Sequence, residues 1–188
     1  MSPKVNYGDG RGLVVRAAID LVAAEGLQRV TYRGLAAKAG VTHGVVQHHF
    51  PSIEAVLLEA LELGVDSTLQ HTPTDADLTP SAFTDWVTHL ARFDPAFHEF
   101  QFQMMLESRR RPAYRAPLRR LYEWYWSAFA GYLESMGIEA TDERVRIIFA
   151  AIDGLVFHVI TVLADDAEGT RAAMEGFQRM LEEIQTDE

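Results

Sequence analysis

The sequence predicts an all-α fold of about nine helices. Apolar residues recur at three- and four-residue steps through nearly all of the 188 residues. Threonine, serine and proline stand where helices would begin, and glycine where they would end. No segment alternates polar and apolar residues as a strand would.

The elements follow in order. Val14, Ala17, Ala18, Leu21 and Val22 form the stripe of a first helix, stopped by Gly26. Thr31 is placed to cap a second, with Leu35, Ala36 and Ala39 on its apolar side and Gly40 at its end. Thr42 caps a short third helix running to His49, and Pro51 and Ser52 open a fourth carrying Ala55, Val56, Leu58, Leu61 and Leu63. The polar, proline-containing stretch 71–81 reads as a loop. Helices are then expected over 81–93, about 96–109, and about 117–136, the last entered past Pro112 and Pro117 and stopped by Gly137. Thr141 or Asp142 starts another, to about Leu163, and a final helix covers about Glu168 to Ile184.

Composition removes several classes of function. Without cysteine there is no disulfide and no thiol chemistry. No run approaches the ~18 apolar residues of a membrane span, and Met1 to Asp9 lack a signal-peptide pattern, so a cytoplasmic protein without a membrane partner is expected. No nucleophile–base pair or phosphate-binding loop is visible, so neither an enzyme nor a cofactor is expected. The histidines near position 45 do not suit a metal, because His43 and His48 are five apart and His48 and His49 point in different directions on a helix. The formal charge of −10 is unevenly spread. Residues 1–53 hold six basic and three acidic residues, and the remainder eleven and twenty-four. A basic amino-terminal quarter on an acidic body fits one end that meets a polyanion.

The segment "LAAKAGVTHGVVQHHF" (35–50) sharpens this. Two helices flank the break Gly40–Val41 at helix-turn-helix spacing, and the second would present its first turns outward, as a helix entering the DNA major groove does. Val46 and Phe50, four apart, would face inward. Residues 13–60 resemble the amino-terminal domain of the tetracycline-repressor (TetR) family of bacterial transcription regulators. Ala17–Ala18, Leu21, Glu25–Gly26, Thr31, the Leu35–Ala36–Ala39–Gly40–Val41 block, Gly44, His49–Phe50 and Ser52 carry the resemblance. It implies a helix-turn-helix domain over 9–69, with the motif itself at about 31–50, and an effector-binding and dimerisation domain over 70–188.

As implied by that resemblance, Thr31 and Thr42 offer hydroxyls and helix amino termini to phosphates, and Arg33 reaches a phosphate or a guanine edge. Gly44 lets the backbone approach the groove, Val45 touches a thymine methyl, and Gln47 meets adenine or a phosphate. His43 and His48 contact bases or phosphates. The chain departs from the family at three places: His43 precedes Gly44 where a lysine, an arginine or a small polar residue is usual, Gln47 stands where a tyrosine often does, and Ile53 where a lysine is common. Fewer phosphate anchors imply weaker binding with a flatter salt dependence.

Large rings crowd the carboxy-terminal part. Aromatics at helical spacing are ordinary core, but "EWYWSAF" (123–129) puts rings nearly all round one helix. The resemblance implies a pocket there for a small hydrophobic effector, with Trp86, His89, Phe93, Phe97, Phe100, Gln101, Met104, Tyr125, Phe129 and His158 as its expected lining, and Gln103 and Glu107 as further polar candidates. "AAIDGLVFHV" (150–159) looks like the family's penultimate helix. Ile152, Leu155, Val159, Phe177, Met180, Leu181 and Ile184 are therefore expected at a homodimer interface built by the last two helices. The six arginines of "SRRRPAYRAPLRR" (108–120) read as a solvated turn balancing nearby acids. The function so implied is a repressor that binds a palindromic operator as a homodimer and is released by its effector. The alternative is a helix-turn-helix regulator without a small ligand, governed by a protein partner or acting constitutively.

Overall fold

The computed structural model describes residues 10–71 and 94–186. Trp86, His89, Phe93 and the helix expected over 81–93 lie outside the described residues. Among the described residues there are eight α-helices and no strand. They are α1 (Gly10–Glu25), α2 (Tyr32–Ala39), α3 (His43–His49), α4 (Ile53–His71), α5 (Pro95–Glu107), α6 (Arg115–Ser135), α7 (Asp142–Ile160) and α8 (Ala167–Thr186). Single 3₁₀ turns, Leu27–Arg29 and Pro112–Tyr114, precede α2 and α6. The described residues fall into two compact units, one within Met1–Gln70 and Glu99–Leu118, the other within His71–His98 and Arg119–Glu188. Thus α5 and α6 each contribute residues to both.

In the first unit, local chemistry sets nearly every helix boundary. The Thr31 hydroxyl accepts a hydrogen bond from the Gly34 amide at 3.0 Å, satisfying one of the free donors at the start of α2. The helix ends at Gly40, which adopts a left-handed conformation (φ 67°, ψ 27°) that costs a residue with a side chain about 1–2 kcal/mol. The Val41 amide then closes onto Ala36 O at 3.0 Å. Thr42 caps α3 through the Val45 amide (3.4 Å), and Ser52 caps α4 through the Ala55 amide (3.1 Å). The core of this head is built from Val14, Ala18 and Val22 of α1, Leu35 of α2, Val46 of α3, Phe50, and Val56, Leu57, Ala60 and Leu61 of α4, all buried.

The second unit is closed by three long helices. Gly137 (φ 78°) ends the segment after α6, with the Ile138 amide donating to Leu133 O at 3.0 Å. Thr141 caps α7 through the Arg144 amide, and Asp142 and Glu143 in its first turn complement the positive end of the helix dipole. Phe129, Tyr132 and Leu133 of α6, Val145, Ile148 and Ile152 of α7, and Met174, Phe177 and Leu181 of α8 form one buried cluster. The helix expected to run to Leu163 stops at Ile160. There Thr161 leaves helical geometry (φ −122°, ψ −93°), and its hydroxyl donates to Phe157 O at 2.5 Å.

Candidate functional site

The inward residues expected for α3 are inward: Val46 and Phe50 are buried, and α1, α2 and α4 leave the remaining surface of α3 uncovered. Thr42, His43, Gly44, Gln47 and His48 are exposed, as are Thr31 and Arg33 on the preceding element. At Gly44 an added Cβ would meet, among the described residues, only the Thr42 hydroxyl, at 3.9 Å, so the outer surface there is open. Val45 is different. It is half-buried, and its Cγ1 lies 3.4 Å from where a Cβ on Gly10 would stand. It therefore leans on the start of α1 and offers an incoming groove only part of its side chain.

The direction in which α3 points is fixed by contacts behind it. Arg11 of α1 pairs with the carboxylate of Glu59 on α4 and donates to His49 O at 3.2 Å. The same guanidinium lies over the Phe50 ring, 4.8 Å from its centre. The pairing with Glu59 raises the Arg11 pKa above its already high value. Tyr32 of α2 donates to Phe50 O (3.3 Å), and its ring meets His43 edge-on at 5.7 Å. Neither Arg11 nor Tyr32 stands out as a site residue in the sequence, because each acts through hydrogen bonds to partners eighteen or more residues away.

The cations of the head sort by partner. Arg11 pairs with Glu59, Arg16 with Asp20 (2.9 Å) and Arg29 with Glu25 (3.8 Å). Among the described residues, Arg33 and Lys38 have no acidic partner. Both border an open cleft of about 550 Å³ that also takes in Thr31 and Gly34. Arg33 and the capping hydroxyl of Thr31 stand at the start of α2 and Lys38 in its last turn, an arrangement that suits contact with a phosphate backbone. No group of three or more histidine, cysteine, aspartate or glutamate side chains among the described residues could hold a metal ion.

The residues expected around an effector divide between the units. Phe100, Gln101 and Met104 are buried in the first unit. Gln103, beside them on α5, donates to Val22 O at the end of α1 (2.9 Å). Glu107 is spent on Arg110 (3.5 Å) and Arg111 (3.0 Å), so part of the arginine-rich turn is balanced as expected. In the second unit Phe97, Tyr125 and Phe129 are buried, whereas His158 is exposed beside Phe157. Tyr125 stacks on Phe149 of α7, with ring centres 5.6 Å apart, and Phe129 lies 6.2 Å from the same ring. Tyr122 touches Tyr125, Trp126 and Phe149 edge-on and donates through its hydroxyl to Asp153 at 3.0 Å. Neither Tyr122 nor Asp153 was expected from the sequence. The signal that could have found Asp153 is an acid alone in the apolar run "IIFAAIDGLVF" of α7.

Of the residues expected at a dimer interface, Ile152, Phe177 and Leu181 are buried in the core of their own unit. Leu155, Val159 and Ile184 are half-buried and Met180 is exposed. The stripe Ile148–Ile152 thus packs inside the protomer.

A capped helix-turn-helix with an exposed second helix, on an all-helical body, defines a DNA-binding transcription regulator. The family model for bacterial regulatory proteins of the tetR family matches residues 14–60, and that for the tetracyclin repressor-like C-terminal domain matches residues 74–181. The chain belongs to the TetR family. No curated protein matches it. Among solved structures it is similar to a proposed transcriptional regulator of Streptomyces coelicolor A3(2), at 28% identity over 92% of this chain and 98% of that one, with a TM-score of 0.62. A TetR transcription regulator of Haloarcula marismortui shares the fold at 15% identity, over 96% and 98% of the two chains, with a TM-score of 0.72. So does a proposed regulator of Saccharomonospora viridis solved in complex with choline, at 20% identity over 94% and 95%, with a TM-score of 0.67. No helix among the described residues is long and apolar enough to cross a membrane.

Proposed function

We propose that the protein is a cytoplasmic repressor that binds a palindromic operator as a homodimer and lets go when a small effector occupies its carboxy-terminal domain. The functional division falls at residues 9–69 for the DNA head and 70–188 for the effector and dimerisation part. The observation that carries the reading is the outward set Thr42, His43, Gly44, Gln47 and His48 on α3, flanked by Thr31 and Arg33. Phosphate contacts from Thr31, Arg33 and Thr42 set the register. Gln47, with His43 and His48, reads base edges.

Dimerisation is supported by the surface of α7. Ile147, Ala150, Gly154 and Phe157 step by three, four and three residues, which keeps them on one helix face. Ile147 is 64% exposed and Phe157 42%, and no described residue of the protomer approaches the Cβ position of Gly154 within 4 Å. An apolar, flat face of this kind loses its contact with water when a second copy covers it. Met180 of α8, exposed, adds to the apolar surface available. An effector site is supported by the aromatic cluster of the second unit and by the choline found in the Saccharomonospora relative. A ligand can shift the dimer only by its differential affinity for the two head spacings.

The test is selection of duplexes from a library with randomised inverted repeats, followed by sedimentation of the complexes. Two protomers per duplex are expected, on half-sites about 34 Å apart or a multiple of that. A single bound protomer, or no enrichment of any duplex, overturns the reading.

A further inference from the structure

Resting on the effector reading, we propose that the second unit binds a small organic cation, an alkylammonium, with Asp153 as its counter-charge and Tyr122, Tyr125 and Phe149 as its aromatic walls. Asp153 lies in the apolar middle of α7, between Ile152 and Gly154, and is half-buried. Among the described residues its hydrogen bond comes from Tyr122, at 3.0 Å. Among the described residues no arginine, lysine or histidine pairs with it. Burial pushes its carboxyl above the ordinary range, and the Tyr122 hydrogen bond recovers only part of that. A carboxylate withdrawn from water without a cation is costly. The arrangement is incomplete as a structural ion pair and complete as half of one.

The surroundings specify what the other half should be. Tyr122 places its ring 5.8 Å from Tyr125 and 6.0 Å from Phe149, while Tyr125 and Phe149 stack at 5.6 Å. Aromatic faces carry negative quadrupole density and attract cations, quaternary ammonium groups above all. The adjacent ring of the same cluster already does so: the Arg146 guanidinium lies 4.9 Å from the centre of Trp126. That arginine is committed to Trp126 and makes no ion pair with Asp153. An anionic ligand would meet Asp153 as a like charge. A neutral lipophile would remove water from the carboxylate and return nothing. Only a cation gains from both the acid and the rings.

The experiment is isothermal titration of the full chain with tetraethylammonium and phenyltrimethylammonium, and with tert-butylbenzene, the uncharged carbon isostere of the second. The wild-type protein should bind phenyltrimethylammonium at least about tenfold more tightly than tert-butylbenzene, a readout that needs no variant. Asp153→Asn, which keeps the shape and the acceptor for Tyr122, should weaken cation binding about tenfold and leave the neutral probe within about twofold. Equal affinities for the two isosteres, or an Asp153→Asn protein that holds the cations unchanged, overturns the proposal. If tert-butylbenzene alone binds, the cation inference falls and the effector reading survives. If none of the three probes binds, the cation inference falls, and the effector reading falls with it if thermal scans against a wider set of neutral lipophiles also show no stabilisation.

Discussion

Replacing Arg33 by alanine should change how DNA binding responds to salt, by an amount the structure sets. Three arginines of the head are already paired with acids, leaving Arg33 and Lys38 as unpaired cations in each described head. The proposed dimer would bring four such charges to the duplex. Each neutralised phosphate contributes about −0.9 to the slope of log K against log salt, so these four give about −3.6. Between 50 and 200 mM salt that slope corresponds to roughly a 150-fold loss of affinity. Arg33→Ala removes one charge from each head, lowering the slope to about −1.8 and the loss to roughly 12-fold. Lys4 lies outside the described residues and would steepen both slopes equally, so their difference is the diagnostic quantity. Fluorescence anisotropy of a labelled operator, titrated at four or five salt concentrations and constant pH, measures both. Slopes that coincide would take Arg33 off the phosphate backbone. A wild-type slope steeper than about −7 would bring in the arginines of 108–120, which are assigned here to a solvated turn.

Three further outcomes can be checked by denaturation of the whole protein. Gly34→Ala should destabilise the head by about 1–3 kcal/mol in urea titrations, because the new Cβ would stand 2.8 Å from Arg29 O, 3.2 Å from the Thr31 hydroxyl and 3.3 Å from Leu21 Cδ2. Gln103→Leu should cost about 0.5–1.5 kcal/mol and no more, since Val22 O keeps its bond from the Gly26 amide (2.9 Å). Asp153→Asn should raise the melting temperature at neutral pH and lose that advantage in acid. Burial raises the folded-state pKa of Asp153, so its ionised form opposes folding, and the penalty disappears as pH falls through the raised value and the carboxyl protonates.

Some of this molecule is legible in its sequence because it is decided locally. A threonine hydroxyl reaches an amide three residues on, and a glycine turns left-handed, whatever surrounds them; Thr31, Gly40, Thr42 and Thr141 are therefore readable. The end of α7 is not. Apolar periodicity continues through Val162 and Leu163, yet the Thr161 hydroxyl bonds back to Phe157 O and the helix stops, leaving Val162 77% exposed. The apolar surface of α7 shows a second limit. The helix is apolar on two sides, one facing α6 and α8 through Ile148 and Ile152, the other outward through Ile147 and Phe157. Periodicity finds both stripes and cannot say which belongs to the core. Val45 fails for a related reason: its exposure depends on how closely α1 approaches at Gly10, thirty-five residues earlier.

The two functional regions should respond to mutation in opposite ways. Gln47, His48 and Arg33 are exposed and make none of the core contacts, so removing them should alter affinity with almost no change in stability. The residues that aim them behave otherwise. Arg11, bridging Glu59, His49 O and the Phe50 ring, and Phe50 itself, fully buried, touch no DNA in this reading, yet they hold α3 in place. Their loss should weaken binding and stability together, because a reading helix displaced by about an ångström no longer presents its side chains to the bases. Asp153 is the converse of both. It is held in the protein at a cost to folding, a cost that the proposed organic cation would offset on binding. A substitution that stabilises the protein and abolishes its response would thus locate the effector site more decisively than one that merely destabilises.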